Sequence, residues 1–325
     1  MSEKFRNWIG HGLVLLVLLV AVWMLLHELK DPDGNPYTVQ DILEQLRLIP
    51  VSHFCLALAL MVLSYVVLFC YDVLALISIG RSLPLWRVAI AAFVGHCCSF
   101  NFGALLGGTA VRYRLYSLWG LSGVDIVRLL LVLGVTFWVG ALALAGVMFW
   151  WQPINIPDKL HLPFETVQPL APILIGIVVL YLGLSVFNRR PIRFRGHEFH
   201  LPSLRMALSQ LVVASIDIIV AAAVLYVLLP GSVELNFAHF LSIYLLAAVG
   251  GIAAHVPGAV GILELVVLSF IASSQEDPVP KDALFASLLA FRVVYYLIPL
   301  FPALGLLAAA DVFTHKPKPE RVVTA

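Results

Sequence analysis

Long, uninterrupted runs of apolar residues dominate the pattern along this chain. A helix needs about 20 residues to cross the hydrocarbon core of a bilayer. Six runs reach about that length, at roughly 9–27, 52–78, 126–151, 169–187, 204–229 and 283–310. The first follows Lys4 and Arg6, as a secretory signal would, but no small-residue cleavage site comes after Leu26, so we expect a retained anchor. The pattern predicts an all-α polytopic membrane protein with one transmembrane domain over 1–325.

Two further apolar stretches, 88–111 and 238–273, are interrupted by small or helix-breaking residues. Because Lys and Arg favour the cytoplasmic side, the loop charges put both ends of the first stretch inside and both ends of the second outside. The limbs 88–100 and 103–114 would rise only about 18–20 Å, short of a core of about 30 Å. The break at 255–258 carries no Lys or Arg to hold a cytoplasmic turn. We therefore expect two re-entrant helical hairpins, although two full spans remain an alternative for the second stretch.

The order of these elements repeats with opposite orientation. Residues 9–151 give span, span, inner hairpin and span, and residues 169–310 give span, span, outer hairpin and span. Loop charges place the N-terminus and the short basic tail 311–325 in the cytoplasm. Many transporters are inverted repeats in which broken helices place the substrate site near the midplane. We therefore expect six full transmembrane helices and two re-entrant hairpins, arranged as an inverted repeat.

Composition excludes other classes of protein. Hydrophobic residues make up 61% of the chain and charged residues 12%, whereas about a quarter of a soluble domain is charged. A net charge of +1 argues against a nucleic-acid partner, which would select a strong basic field. The four cysteines lack CxxC spacing, and there is no HExxH or nucleotide-binding motif. We therefore expect no metal, no cofactor and no disulfide framework.

Ionisable residues within the apolar runs are the first candidates for a site. At the centre of a span an Asp or Arg costs about 2.5–3.5 kcal/mol, so each needs a partner, water or the interior of the bundle. Three fall in the first half and three in the second, in the same order of elements: Asp72, His96 and Arg128, then Asp217, His255 and Arg292. The carboxylates and guanidiniums either form structural ion pairs or line a polar pathway. The two histidines, placed at the hairpin turns, are either hydrogen-bonded core residues or bind phosphate and relay protons.

The returning limbs of the hairpins form a second group of candidates. They begin near Asn101 and at Gly258, where free backbone N–H groups and the helix dipole would favour an anion such as a phosphodiester. Five glycines would allow close approach there, or would serve helix packing alone: Gly103, Gly107, Gly108, Gly258 and Gly261. Glu264 on the second limb requires a proton, water or a cation. Arg112 and Arg114, predicted at the membrane surface, either anchor the helix at the interface or collect lipid headgroups.

Four segments resemble a known family. They are GGTAVRYRLY at 107–116, HVPGAVGILE at 255–264, FRVVYYLIP at 291–299 and CYD at 70–72. Taken in their order along the chain, they resemble the transmembrane domain of the lysylphosphatidylglycerol flippase–synthetases, and most closely the stand-alone YbhN-type inner-membrane proteins. The resemblance implies a bacterial cytoplasmic membrane protein whose larger relatives flip aminoacylated phosphatidylglycerol to the outer leaflet. Those relatives add a soluble aminoacyltransferase domain, whereas this chain stops fifteen residues after Ala310, so we expect no synthetase activity.

Together these features favour a lipid translocase or lipid-binding transporter for an anionic or zwitterionic phospholipid. A headgroup would enter near Arg112 and Arg114 and pass the hairpin N-termini. Ten residues are the substrate-binding candidates: Asp72, His96, Asn101, Arg112, Arg114, Asp217, His255, Gly258, Glu264 and Arg292. The alternatives are an ion-coupled transporter of a small polar solute, with Glu264 or Asp217 carrying protons, and a non-transporting scaffold. An intramembrane enzyme is disfavoured by its missing motifs, and a homo-oligomer is left open.

Overall fold

The computed structural model describes residues 39–156, 166–187, 192–194, 197–199, 202–253, 261–274 and 279–314. The predicted first span at 9–27 lies outside these residues, as do the site candidates His255 and Gly258. The loop between the sixth and seventh described α-helices contains an antiparallel pair of three-residue strands, β1 Ile192–Phe194 and β2 His197–Phe199.

Helices form nearly all of the described structure. In chain order they are α1 Val39–Leu48, α2 Val51–Ser78, α3 Leu85–Phe102, the π-helix π1 Ala104–Thr109, α4 Ala110–Leu118, α5 Gly123–Trp151, a 3₁₀ turn Gln168–Leu170, α6 Ala171–Phe187, α7 Leu204–Leu228, α8 Phe237–Ala253, α9 Ile262–Ser274, α10 Lys281–Arg292, the π-helix π2 Val293–Leu297 and α11 Ile298–Thr314.

Local sequence explains where several helices begin and end. Pro50, Pro84 and Pro280 directly precede α2, α3 and α10, in agreement with the tolerance of proline at the start of a helix. Ser122 and Ser203 cap α5 and α7, since their hydroxyls accept hydrogen bonds from the backbone N–H groups three residues on. These signals leave the long apolar runs between them free to wind as continuous helices.

The predicted all-α membrane class is confirmed. Within the described residues, six helical segments are long and apolar enough to cross a membrane: Val51–Ser78, Leu85–Phe102, Gly123–Trp151, Gln168–Val186, Leu204–Leu228 and Lys281–Ala309. Five of them match predicted spans. The sixth is the first limb of the first predicted hairpin, which has 18 residues instead of 13 and so rises about 27 Å. Length alone therefore does not show that this limb turns back, and its re-entry into the membrane remains a prediction.

The core lies between α2 and α7, which share the most extensive contact in the described structure. The segment α3 packs along π1 and α4 as one helical hairpin, and α8 packs along α9 as a second. Equivalent elements of the two halves also meet: α3 contacts α11 as α8 contacts α5, and α4 contacts α5 as α9 contacts α10. The predicted repeat would give such contacts. The repeat and its inverted orientation across a membrane both remain predictions.

The limbs of the first hairpin touch almost backbone to backbone. The chain turns at Gly103, whose φ of 83° is readily adopted only by glycine. A Cβ at Gly107 would overlap the carbonyl of Cys98, and one at Gly108 would overlap the hydroxyl of Ser99. The glycines of this segment therefore serve close packing, the simpler of their two predicted roles.

Candidate functional site

The buried carboxylate of Asp72, on α2, is the centre of the largest charged cluster. Arg112 on α4 donates from Nε to Oδ1 and from Nη2 to Oδ2, each at 3.0 Å. The hydroxyl of Tyr116 also donates to Oδ1 at 2.7 Å. Arg112 and Tyr116 lie four residues apart and so share one face of α4, which aims both side chains at the same carboxylate. The paired N–H groups of the guanidinium form the bidentate geometry that fits a carboxylate or a phosphate.

His96, on α3, lies on the other side of this carboxylate. Its buried Nε2 is 3.4 Å from Asp72 Oδ2 and makes no hydrogen bond there. The imidazole contacts the ring of Tyr71 edge-on, with centroids 5.7 Å apart. His96 lies within α3, seven residues before Gly103, so the prediction that it sits at the hairpin turn is wrong. The helix continues past His96 to Phe102, and the chain turns only at Gly103, where φ becomes positive.

Asp217, on α7, forms a second buried centre. Ser64 donates to its Oδ1 and Tyr71 to its Oδ2, both at 3.1 Å. The hydroxyl of Ser64 also lies 2.7 Å from that of Tyr295 in π2. In the described part of the chain, Asp217 is therefore held by hydroxyl groups, without an ion pair to Arg or Lys. The side chain of Tyr71 spans the two centres, with its hydroxyl on Asp217 and its ring against His96.

A third centre joins the second hairpin to the last span. Arg292 donates from Nε to Glu264 Oε1 at 2.9 Å, and its Nη2 lies 2.8 Å from the same oxygen. The backbone N–H of Gly261 donates to Oε2 at 2.8 Å. The guanidinium also lies over the ring of Tyr296, 4.6 Å from its centroid. Glu264 thus has the cationic partner that its position in an apolar helix demands.

Arg112 and Arg114 differ in environment, contrary to the prediction that both lie at the membrane surface. Arg114 is exposed, whereas only 3% of Arg112 is exposed, and its guanidinium faces Asp72. Residues two apart on a helix do not share a face, so only one of the two could point outward. Arg112 is therefore part of the buried centre, and a position at the membrane surface remains a prediction for Arg114 alone.

The remaining candidates occupy separate places. The amide of Asn101 donates to the carbonyls of Cys97 and Tyr296, at 2.9 and 3.1 Å, so it joins α3 to π2. Arg128 is partly exposed near the start of α5. Among the described residues, no group of three or more His, Cys, Asp or Glu side chains is arranged to hold a metal ion.

Sequence reasoning missed the hydroxyl groups that complete the first two centres: Ser64, Tyr71, Tyr116 and Tyr295. Two of them could have been found. Tyr116 lies one helical turn after Arg112, and Tyr71 directly precedes Asp72 in the CYD segment. Ser64 and Tyr295 are 231 residues apart in the chain. No local pattern reveals such a contact.

Comparison with known proteins gives this arrangement a family. The chain is 38% identical to the uncharacterized protein slr0712 of Synechocystis sp. over 289 residues, 88% of each chain. It is 33% identical to the inner membrane protein YbhN of Escherichia coli over 249 residues, which are 76% of this chain and 77% of YbhN.

Two other comparisons complete the picture. No protein-family model matches the chain. A shorter match of 94 residues, 35% identical, covers 29% of this chain and 11% of a phosphatidylglycerol lysyltransferase of Staphylococcus xylosus. The identity to YbhN extends over most of both chains, and we conclude that this chain is a member of the YbhN family of membrane proteins.

Proposed function

We propose that this protein moves a phospholipid headgroup between the leaflets of the bacterial cytoplasmic membrane. One observation carries the proposal: a buried, bidentate ion pair joins Asp72 on the span α2 to Arg112 on the first helical hairpin of a polytopic membrane protein. The partial similarity to phosphatidylglycerol lysyltransferases, whose name gives them a phospholipid substrate, supports a lipid over a small solute.

Energetics argue that this pair has a role beyond stability. Removing two charges from water is costly, and replacing a buried ion pair with apolar side chains is often neutral or stabilising. Ionisable groups inside membrane helices are therefore candidates for a polar pathway. Arg112 can exchange Asp72 for a phosphate without changing its geometry, because its paired donors suit both anions.

The resting pair also bears on the charge of the headgroup. A phosphate that binds Arg112 in place of Asp72 leaves the carboxylate of Asp72 buried without a cation, at a cost of about 3–5 kcal/mol. A headgroup that also carries an ammonium group supplies that cation itself. Both protein charges then remain paired throughout the exchange. Among anionic and zwitterionic phospholipids, we therefore favour the zwitterionic class.

The surface near this centre offers a collecting point for headgroups. Arg114 and Tyr113 are exposed on α4, and Trp86 is exposed at the start of α3. Aromatic and basic side chains of this kind lie at the level of the headgroups, where each basic residue gains about 1 kcal/mol from an anionic surface. In the proposed topology, with both termini cytoplasmic and the hairpins entering from opposite leaflets, this surface faces the cytoplasmic leaflet.

A flippase assay tests the proposal. The purified protein is reconstituted in liposomes with a fluorescent phosphatidylethanolamine or a fluorescent phosphatidylglycerol, and dithionite quenching measures translocation. We expect the double variant Asp72→Asn/Arg112→Gln to translocate at least about tenfold more slowly, since it removes an effect worth 1.4 kcal/mol or more. We also expect the zwitterionic probe to move faster than the anionic one in the unmodified protein.

The matched control removes the same two charges elsewhere. Arg81 and Asp125 form an ion pair at 2.9 Å, but 55% of the Arg81 side chain is exposed. Arg81→Gln/Asp125→Asn should keep the translocation rate of the unmodified protein. Equal rates for the unmodified protein and for Asp72→Asn/Arg112→Gln would overturn the proposal.

A further inference from the structure

The buried carboxylates of this protein are not equivalent. Asp72 is bonded to Arg112, and Glu264 is bonded to Arg292. Asp217 is 6% exposed, yet its partners in the described structure are the hydroxyls of Ser64 and Tyr71. A buried carboxylate without a cation reaches electrical neutrality by binding a proton. This asymmetry separates Asp217 from Glu264, the other acid that the sequence leaves open as a proton carrier.

Within the part of the chain that the structure describes, the groups around Asp217 supply no free positive charge. The side chains that face it from α2, α8 and π2 are the hydroxyl-bearing Ser64, Tyr71, Tyr244 and Tyr295. The neighbouring acid on α2, Asp72, is engaged by Arg112, with His96 beside it. The cation on α10, Arg292, is engaged by Glu264. On α5 the ionisable residues lie at its start, where Asp125 pairs with Arg81, and Arg128 follows one turn later.

The hydrogen-bonding chain at Asp217 accommodates both protonation states. The single hydrogen of Ser64 goes to Asp217 Oδ1 at 3.1 Å, so the contact of 2.7 Å with Tyr295 is donated by the tyrosine. When a proton from water binds Oδ1, the carboxylic acid donates to Ser64, and Ser64 in turn donates to Tyr295. Only hydrogens change place, and the carboxyl group remains hydrogen-bonded throughout.

One side chain connects this chain of hydroxyls to the lipid site. Tyr71 donates to Asp217 Oδ2 at 3.1 Å, and its ring contacts His96, which lies beside Asp72. Tyr71 also directly precedes Asp72 on α2. A change in the charge of Asp217 alters its hydrogen bond with Tyr71. The ring and the backbone of Tyr71 transmit this change to the Asp72–Arg112 pair.

We propose that Asp217 is a proton-binding site that couples a proton gradient to lipid movement. The proposal rests on the proposed function, because the coupled substrate is the phospholipid headgroup at Asp72 and Arg112. One proton binds the carboxylate as the headgroup enters and leaves it when the headgroup is released on the other side. No bond other than O–H forms or breaks, and the solvent on the two sides supplies and accepts the proton.

Uniformly oriented proteoliposomes with an imposed pH difference test this coupling. With one proton per lipid, a difference of one pH unit supports up to about a tenfold excess of fluorescent phosphatidylethanolamine in one leaflet. We expect this asymmetry in the unmodified protein and its loss in Asp217→Asn. The quantity compared is the ratio of translocation rates with and without the gradient, which should fall to about one in the variant whatever its basal rate. Asp125→Asn is the matched control and should retain the full ratio.

The outcomes separate the two proposals. The proton site is overturned if the rate of lipid movement in the unmodified protein does not depend on the pH gradient. It is also overturned if Asp217→Asn keeps the full response to the gradient. Neither outcome contradicts the lipid function. If no lipid moves at all, the lipid function fails. The site is then judged by infrared difference spectra, in which a protonated carboxylic acid band present in the unmodified protein should be missing from Asp217→Asn. If that variant does not fold, Ser64→Ala keeps the carboxylate and should shift the pH at which this band appears. If the band appears at the same pH in Ser64→Ala as in the unmodified protein, the proton site is contradicted.

Discussion

The geometry of the Asp72–Arg112 pair makes the charge on each side chain depend on the other. The carboxylate accepts two N–H groups from Arg112 and one hydroxyl from Tyr116, so each of its oxygens is hydrogen-bonded. Removing one partner of such a buried pair leaves an uncompensated charge in a low-dielectric environment. The pair therefore constrains which single substitutions the protein tolerates, whatever its net contribution to folding.

A double-mutant cycle measures this dependence. We expect Asp72→Asn and Arg112→Leu each to lower the free energy of unfolding by about 3–5 kcal/mol, because each leaves a buried charge or donor without its partner. The double variant should lose clearly less than the sum of the two. Denaturation in detergent micelles, followed by tryptophan fluorescence, provides the free energies.

The exposed pair gives the control for this cycle. Arg81→Leu breaks a contact with Asp125 in which the arginine is largely in solvent, so its cost should stay below about 1 kcal/mol. Additive losses in the Asp72 and Arg112 variants would show that the two side chains do not act as a pair.

At this scale the sequence identifies the participants but not their partners. Asp72, Glu264 and Arg292 stand out because each is charged within an apolar run, and Arg112 stands out because it directly follows one. Asp72 and Arg112 are 40 residues apart, and Glu264 and Arg292 are 28 apart, on different helices. Which pairs form depends on how the helices pack, and no spacing rule within one helix supplies that information.

Among the elements, the first hairpin has the least room to change. The predicted Cβ positions of Gly107 and Gly108 overlap atoms of α3, and one at Gly95 would lie 2.7 Å from Cζ of Arg112. Small residues at the contact between membrane helices allow backbones to approach in this way. The same glycines that join the limbs therefore also hold Arg112 in its position against Asp72.

A single large side chain should separate the limbs. We expect Gly108→Leu to lower the stability by about 1–3 kcal/mol or more, because the added atoms meet Ser99 and the backbone of Gly95. Gly134→Leu on the exposed face of α5 is the matched control, since a Cβ there meets nothing within 4 Å. Thermal unfolding in detergent compares the two variants, and equal midpoints would contradict the close packing of the hairpin.

The pattern predicts the break in the first hairpin better than the shape of that hairpin. Gly103 ends α3 where the sequence places the turn, because glycine adopts a positive φ without strain. The first limb nevertheless begins at Leu85, three residues earlier than predicted, because Pro84 starts the helix before the apolar run begins. No pattern of apolar or charged residues in the sequence predicts the two π-helices. They arise where packing inserts an extra residue into a turn.

At the scale of the whole molecule, the spans follow from apolar length, and the loop charges predict their orientation. Helices α2, α5 and α7 agree with the predicted spans within a few residues. Their packing order does not follow from the same signals. The central contact joins α2 to α7 across 125 or more residues of chain, a relation that only the folded structure reveals.

Cysteine labelling in intact cells tests the predicted orientation. In a variant whose native cysteines are replaced, we expect Gly231→Cys to react from outside with an impermeant maleimide and Ser203→Cys to react only after permeabilisation, because basic loops face the cytoplasm. Asn101→Cys should not react from outside if the first hairpin turns back. Outside labelling at residue 101 would mean that α3 crosses completely, and the re-entrant prediction would then be wrong.

The π-helix π2 has a consequence for the last span as a whole. It adds a residue to one turn of the 29-residue segment Lys281–Ala309, which offsets the faces before and after it by about 100°. Before the offset, Arg292 points to the second hairpin, while Tyr295 and the carbonyl of Tyr296 reach α2 and the first hairpin. A regular α-helix over the same residues would turn the residues after the π-helix by about 100° from their present direction relative to Arg292. The extra residue thus lets one helical segment contact both halves of the protein.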